Sequence, residues 1–341
     1  MTNMQSLPVS EAGSKLAGKT VSIEDVEAAA ERIRSEALVT PLLRHPLLDE
    51  VTGATVVVKP ENLQRSGSFK FRGAFNRLSL IPPADRPRGV VACSSGNHAQ
   101  GVAASAQLLG MPATIVMPSD APRIKLERTR GYGATVITYD RETEDRDAIA
   151  GDLCSKSGAT FVHPYNDVGV IAGQGTVGLE MAAQAAALGL HLDDVLACTG
   201  GGGLSSGIAL ALEAKSPGTV FHTAEPELFD DYKRSLDAGE RLSNAVKTGS
   251  VCDALLSDSP GDIGFSILSR VAGEGVTVTD EEALAAVAFA FTELKLVVEP
   301  GGAVALAALL AGKLPFKGKT VGIVLTGGNI DPQMLKTALS R

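Results

Sequence analysis

The sequence is poor in several features that would narrow its class. Its four cysteines, Cys93, Cys154, Cys198 and Cys252, are scattered with no CxxC and no metal-ligand spacing. That excludes a disulfide scaffold and a zinc ribbon, and each cysteine reads as a buried thiol in a reducing, cytoplasmic compartment. No apolar run reaches membrane-spanning length without a charge or a glycine. The first twenty residues lack a cationic start and an apolar core, so no signal peptide is expected. Positive charge is in deficit: 31 Lys and Arg against 39 Asp and Glu give a formal charge of -8. A chain of that sign is a poor partner for nucleic acid or an anionic membrane. Low-complexity segments and internal repeats are missing. What remains, 341 residues that are 44% hydrophobic and 21% charged, is long enough for two domains.

Short apolar runs alternate with helical patterns. Strands are expected at 55–59, 89–93, 113–117, 135–139, 160–163, 195–199, 220–224 and 321–326. Most are continuous apolar runs, as expected of strands covered on both faces. Helices are expected over 100–109, 122–132, 146–157, 173–188 and 204–215, with Ser22 capping an alanine-rich helix that ends near Ser35. A terminal helix is expected over 334–341. Repeated strand–helix units imply a mainly parallel α/β fold. The segment 88–163 holds three such repeats between Pro82-Pro83 and Pro164, and is expected to form a small α/β domain inserted into a larger one built from 1–87 and 164–341.

Lys70 lies between two phenylalanines in Gly67-Ser68-Phe69-Lys70-Phe71-Arg72. Apolar flanks disfavour an ammonium ion and make a lysine a usable nucleophile and base, the chemistry of a Schiff base with an aldehyde cofactor. By itself such a lysine is more often a surface residue with a buried stem. Gly200-Gly201-Gly202-Gly203 joins a strand to a helix, where backbone amides and the helix dipole suit a phosphate. The spacing lacks GxGxxG, so a single phosphate fits better than a dinucleotide. Cys93-Ser94-Ser95-Gly96-Asn97-His98 is another strand-to-helix junction, readable as an N-cap cluster or as a carboxylate cradle. Thr326 would present its hydroxyl at the C-terminal edge of the last strand, where ligands of parallel sheets gather. Glu225-Pro226 and Asp230-Asp231 could bind Mg²⁺ or Ca²⁺, although an acidic turn in solvent is the commoner explanation. The segment 312–320 superficially resembles a nucleotide P-loop, but its spacing is one residue too long and a strand follows.

Taken in order, Gly-Ser-Phe-Lys-Phe-Arg-Gly-Ala, Ser-Ser-Gly-Asn-His, Gly-Gln-Gly-Thr at 173–176, the tetraglycine loop, Glu-Pro-Gly-Gly-Ala at 299–303 and Thr-Gly-Gly-Asn resemble the serine/threonine dehydratase and serine racemase family of fold-type II pyridoxal-phosphate enzymes. The resemblance runs from about residue 20 to 335 and implies a tryptophan-synthase-β-like fold with two open, parallel-type sheets flanked by helices. It implies that Lys70 binds pyridoxal phosphate covalently and, once freed by substrate, takes the α-proton. Phe69 would pack beside the ring, and Gly200, Gly201, Gly202, Gly203 and Leu204 would hold the phosphate. Asn97 would bond the phenolic oxygen, Thr326 would face the pyridine nitrogen, and Glu299 would lie near the ring edge. Ser94, Ser95, Asn97 and His98 would receive the substrate carboxylate. Glu225, the carbonyl of Phe229 and Asp231 match the family's divalent-cation site, making Mg²⁺, Ca²⁺ or Mn²⁺ an expected second cofactor.

The implied activity is removal of ammonia from a β-hydroxy amino acid of the L-threonine or L-serine type, giving a 2-oxo acid. A neutral hydroxyl at the ring nitrogen favours prompt β-elimination over long-lived carbanion chemistry. The alternative is a 3-hydroxyaspartate dehydratase, or a racemase with side elimination. Ser95 bears on this choice, because dedicated threonine dehydratases tend to have alanine there and serine would reach the face opposite Lys70. Arg146 aligns with an arginine near the substrate pocket of the racemase branch and could bind a side-chain carboxylate. Its flanks, Asp145 and Asp147, favour a solvated helix face instead. A homodimer is expected from the family. The lysine and carboxylate motifs of a cysteine-synthase-type enzyme are not present.

Overall fold

A computed structural model describes residues 20–341; the signal-peptide expectation concerns residues that lie almost wholly outside the described ones. Among the described residues, ten strands form two sheets. The larger has the order β1 (Leu43–Arg44), β2 (Thr55–Pro60), β10 (Thr320–Leu325), β7 (Asp194–Cys198), β8 (Val220–Pro226) and β9 (Val276–Val278). Only β1 runs antiparallel, against β2. The smaller has the order β5 (Thr135–Tyr139), β4 (Ala113–Pro118), β3 (Val90–Cys93) and β6 (Thr160–Phe161), all parallel. The central strands are buried along nearly their whole length, since helices cover both faces of each sheet. Two open, mainly parallel sheets flanked by helices are what the resemblance implies.

The four strands of the smaller sheet fall within 90–161. Its apolar core also draws on Ala74 and Leu78 of the helix Lys70–Ser79, on Ile81, and on Val170 of the helix Val168–Ala187. The lysine-bearing helix therefore packs onto the small sheet although its chain segment precedes it.

Parallel register brings the functional loops to one edge. Leu325 of β10 pairs with Pro60 of β2, and Cys198 of β7 pairs with Ala224 of β8. The segments that follow these strands start from the same edge of the large sheet, and those after β2, β7 and β10 carry Lys70, the four glycines and Thr326. That placement follows the general rule for ligand sites in open α/β sheets.

The 173–176 motif serves packing. Gln174 Oε1 accepts from the Gly73 amide at 3.1 Å, and Thr176 Oγ1 accepts from Arg72 at 3.2 Å. A methyl group on Gly173 would stand 2.7 Å from the Arg72 carbonyl oxygen, so only glycine lets the two helices approach this closely. Of the cysteines, Cys93, Cys198 and Cys252 are buried as expected, whereas Cys154 is only half-buried because it lies on the outer helix Arg146–Ser157.

Candidate active site

Lys70 begins the helix Lys70–Ser79. A turn with φ of +62° at Ser66 and +74° at Gly67 leads into it, followed by a bridge from Ser68 to Gly327 and a hydrogen bond from the Phe69 amide to the Thr326 carbonyl at 3.1 Å. The loop is thus fastened to the edge of β10. Lys70 Nζ lies 5.1 Å from the centre of the Phe69 ring and donates to the Pro164 carbonyl at 2.8 Å. Burial lowers its pKa to about 8. The depressed amine expected from the apolar flanks is present.

The glycine loop forms the start of the helix Gly203–Lys215, with Gly202 at φ +88°. A methyl group at Gly201 would overlap the Tyr165 ring, and one at Gly202 would overlap the Tyr232 hydroxyl. Leu204 follows in the first turn, where backbone amides lack intrahelical partners. Thr199 and Ser205 share a hydrogen bond of 2.8 Å beneath the loop. Tyr165 and Tyr232 escaped the sequence reading; nothing in their local sequence marks them as the wall of this loop.

Asn97 opens the helix Asn97–Leu108 and is held on both sides. Its amide nitrogen donates to Glu299 Oε1, and its carbonyl oxygen accepts from Asn329 at 2.8 Å. Glu299 is buried at the start of the helix Pro300–Leu310. Thr326 is buried just past β10, beside the thiol of Cys198, which burial pushes up to about 11. Ser94 and Ser95 are half-buried, and Ser94 Oγ accepts from the Gly96 amide at 3.1 Å. His98 is buried with Nε2 against the Val162 carbonyl at 3.0 Å, and burial lowers its pKa to about 3. Its imidazole is neutral, with Nδ1 buried and without a hydrogen-bond partner.

Arg146 heads its helix with its side chain 45% exposed. Its guanidinium stands 3.8 Å from Asp147 and 4.0 Å from Asp258, neither close enough for a hydrogen bond. Burial would lower its pKa, but Asp147, Tyr139 and Asp258 together raise it.

The acidic cluster is not a solvent turn. Glu225 and Asp231 are both fully buried, because β8 ends beneath the helix Asp231–Ala238. Glu225 accepts from the amides of Tyr232 and Lys233, both at 2.8 Å. Burial, with Asp231 nearby, raises the Glu225 pKa well above the usual carboxylate range; burial likewise pushes Asp231 up to about 7. Asp231 Oδ2 is buried without a hydrogen-bond partner.

Residues 33–327 match the family model described as "Pyridoxal-phosphate dependent enzyme". The chain belongs to this family. Its relatives include the L-threo-3-hydroxyaspartate ammonia-lyase of Pseudomonas sp, 46% identical over 91% of this chain and 96% of the relative. The L-threo-3-hydroxyaspartate ammonia-lyase of Saccharomyces cerevisiae is 41% identical over 93% of this chain and 95% of its own. Among solved structures, the T.th. threonine deaminase is similar with a TM-score of 0.85 and 43% identity, over 91% of this chain and 99% of that one. Within this family, a lysine of lowered pKa beside a glycine loop at a helix N-terminus suits an aldehyde cofactor bearing one phosphate.

Proposed function

We propose that the chain is a pyridoxal-phosphate dependent ammonia-lyase that converts a β-hydroxy amino acid to a 2-oxo acid and ammonia, with 3-hydroxyaspartate as its substrate. The observation that carries the chemistry is Lys70, a desolvated amine next to the Phe69 ring, at the sheet edge where the glycine loop also lies. Lys70 would hold the cofactor covalently, the amides of Gly200 to Leu204 its phosphate, Asn97 its phenolic oxygen and Thr326 its ring nitrogen. When bound, the cofactor supplies an electron sink for the pair left at the α-carbon. Lys70 Nζ would take the α-proton. The β-hydroxyl would leave as water with the proton that Lys70 Nζ has taken from the α-carbon. The enamine that leaves is hydrolysed in solution to the 2-oxo acid and ammonia. Ser94, Ser95 and the first amides of the helix Asn97–Leu108 fix the α-carboxylate and so the direction of the α-hydrogen. Ser95 is the residue assigned to the face opposite Lys70, where a racemising proton exchange would take place.

Substitution at the glycine loop tests the phosphate assignment. Gly202→Ala introduces a side chain at φ +88° that overlaps Tyr232, so cofactor affinity measured by equilibrium dialysis should fall at least about tenfold.

Arg146 supports a substrate with a second carboxylate. Its guanidinium is half-exposed, and its carboxylate neighbours Asp147 and Asp258 stand at 3.8 and 4.0 Å without hydrogen-bonding it, which leaves its bidentate edge available. Arg146→Ala should raise KM for 3-hydroxyaspartate by roughly 10- to 100-fold, the value of a charged hydrogen-bonded contact. Turnover of L-threonine should be unchanged. Equal losses for both substrates would return Arg146 to a solvated helix face.

A divalent cation at Glu225, the Phe229 carbonyl and Asp231 belongs to the same reading. The unpartnered Asp231 oxygen and the two close buried carboxylates fit an oxygen-liganded cation, which would neutralise charge that burial disfavours. Among the described residues no three His, Cys, Asp or Glu side chains converge on one point, so carbonyl and water oxygens would complete the shell. The cation would stabilise the turn that carries Tyr232 against the glycine loop. Mg²⁺ should raise the thermal midpoint of the wild type and leave that of Asp231→Asn unmoved. The unpaired cysteines support a cytoplasmic location. Exposed Leu38, Val39 and Leu63 offer apolar surface to a second copy in a homodimer.

A further inference from the structure

Lys125 and Arg128 lie one turn apart on the helix Arg123–Gly131, which connects β4 to β5 in the small sheet. Residues three apart share a helix face, and both side chains here leave their own sheet and cross to the large one. Lys125 is 3% exposed. Its Nζ donates to Asp253 at 2.7 Å and to Glu299 Oε2 at 3.2 Å. Arg128 Nη1 donates to Asn329 Oδ1 at 2.6 Å. The Lys125 stem passes over Gly96, where a methyl group would stand 2.6 Å from its Cδ. No sequence pattern sets Lys125 apart from the other cations of this helix, but it is buried among acids.

The partners of these two cations are the partners of Asn97. Glu299, held by Lys125, accepts from the Asn97 amide nitrogen; Asn329, held by Arg128, donates to the Asn97 carbonyl oxygen. Asn329 also donates to the Ser66 carbonyl in the turn that leads to Lys70. We infer that Lys125 and Arg128 are positioning residues that clasp the two sheets together and fix the amide plane of Asn97, leaving its second N–H hydrogen directed for the cofactor's phenolic oxygen. The cofactor part of this inference rests on the proposed function. Burial would lower the Lys125 pKa, but Glu299 and Asp253 together raise it, so the ammonium persists across the working pH range. A neutral residue there would leave Glu299 buried without its counter-charge, free to turn away from Asn97.

The test has two readouts on Lys125→Met and Arg128→Met. Hydrogen–deuterium exchange on the cofactor-free protein is expected to quicken at least about tenfold in peptides covering 97–108 and 123–131, with the β2, β7 and β10 strands unchanged. In protein loaded with pyridoxal phosphate, the pH at which the visible band of the lysine-bound cofactor titrates should shift in both variants, because a hydrogen bond to the phenolic oxygen sets that pH. Wild-type exchange in those two peptides, or a uniform speed-up over the whole chain, would overturn the clasp. An unshifted band with faster local exchange would overturn the fixing of Asn97. If the wild type took up no pyridoxal phosphate while local exchange still quickened, the functional reading would fall and the clasp would stand.

Discussion

Lys70→Ala is expected to lower turnover at least about 10³-fold, since one group is asked both to hold the cofactor and to move the α-proton. The variant should fold normally. Lys70 is half-buried, and its amine makes one hydrogen bond, to the Pro164 carbonyl. Alanine is also a good residue for the first turn of a helix. Two measurements check the prediction: 2-oxo acid release, and the visible absorption of the lysine-bound cofactor, which should vanish in the variant. Retained activity with a lost band would mean that another base takes the α-proton. A retained band would mean that the cofactor is bound elsewhere.

The largest effect on stability should come from Arg72, two residues further along the same helix. Its guanidinium is fully buried and donates to Glu61 through Nε and Nη2, both at 2.7 Å. It also donates to Glu180 at 2.6 and 2.9 Å and to the Leu38 carbonyl at 3.1 Å. Buried Lys59 closes the cluster, with Nζ 2.6 Å from Glu180 and 2.9 Å from Gln184. Two lysine and arginine charges thus meet two carboxylates where little water reaches. Burial opposes the charge on Arg72, and Glu61 and Glu180 more than offset it, raising its pKa. Removing one member strands the opposite charge. Arg72→Leu should cost about 3–5 kcal/mol, because the Glu61 carboxylate would remain buried beside a leucine. The thermal midpoint should fall by on the order of 10 °C. Arg72→Lys should fall between the wild type and Arg72→Leu, since lysine keeps the charge and loses the paired fork. A loss under about 1 kcal/mol for Arg72→Leu would mean that water or a rearranged Lys59 replaces the guanidinium.

The parts legible in sequence were those with a strong local signal. Strands such as β5 and β7 were placed to within a residue because apolar runs bounded by turns have few alternative readings. The helix Arg146–Ser157 was bounded correctly, with Asp145 as its cap and Gly158 at its C-terminus. The strands β1 and β9, of two and three residues, are too short to carry a period. The helix Lys70–Ser79 does carry a local signal, since Phe71, Ala74, Phe75 and Leu78 recur at i, i+3, i+4 and i+7; what local sequence hides is that Arg72, Asn76 and Arg77 are buried as well. The helix Pro300–Leu310 is buried all round and so has no stripe at all. By contrast, the helix Asp280–Thr292 carries a legible start signal in its Thr279 and Glu282 capping box.

The same distinction separates the site residues. The four glycines, Asn97 and Thr326 follow closely on strand ends, so their loops could be placed by topology, whereas Lys70 starts a helix ten residues past β2. Lys125, Asp253 and Asn329 act through contacts between distant segments, 128 residues apart for Lys125 and Asp253. Local sequence could suggest only that Lys125 belonged to a solvated basic helix. The acidic pair at 225 and 231 shows the reverse error: residue type alone argued for solvent, whereas the strand that carries Glu225 runs into the core.

The most direct test is 2-oxo acid release by the purified protein with pyridoxal phosphate and Mg²⁺, comparing L-threo-3-hydroxyaspartate with L-threonine and L-serine. Release from all β-hydroxy substrates tested, with kcat/KM highest for hydroxyaspartate, is the result this account predicts. No 2-oxo acid from any of them, despite a bound cofactor, would contradict it.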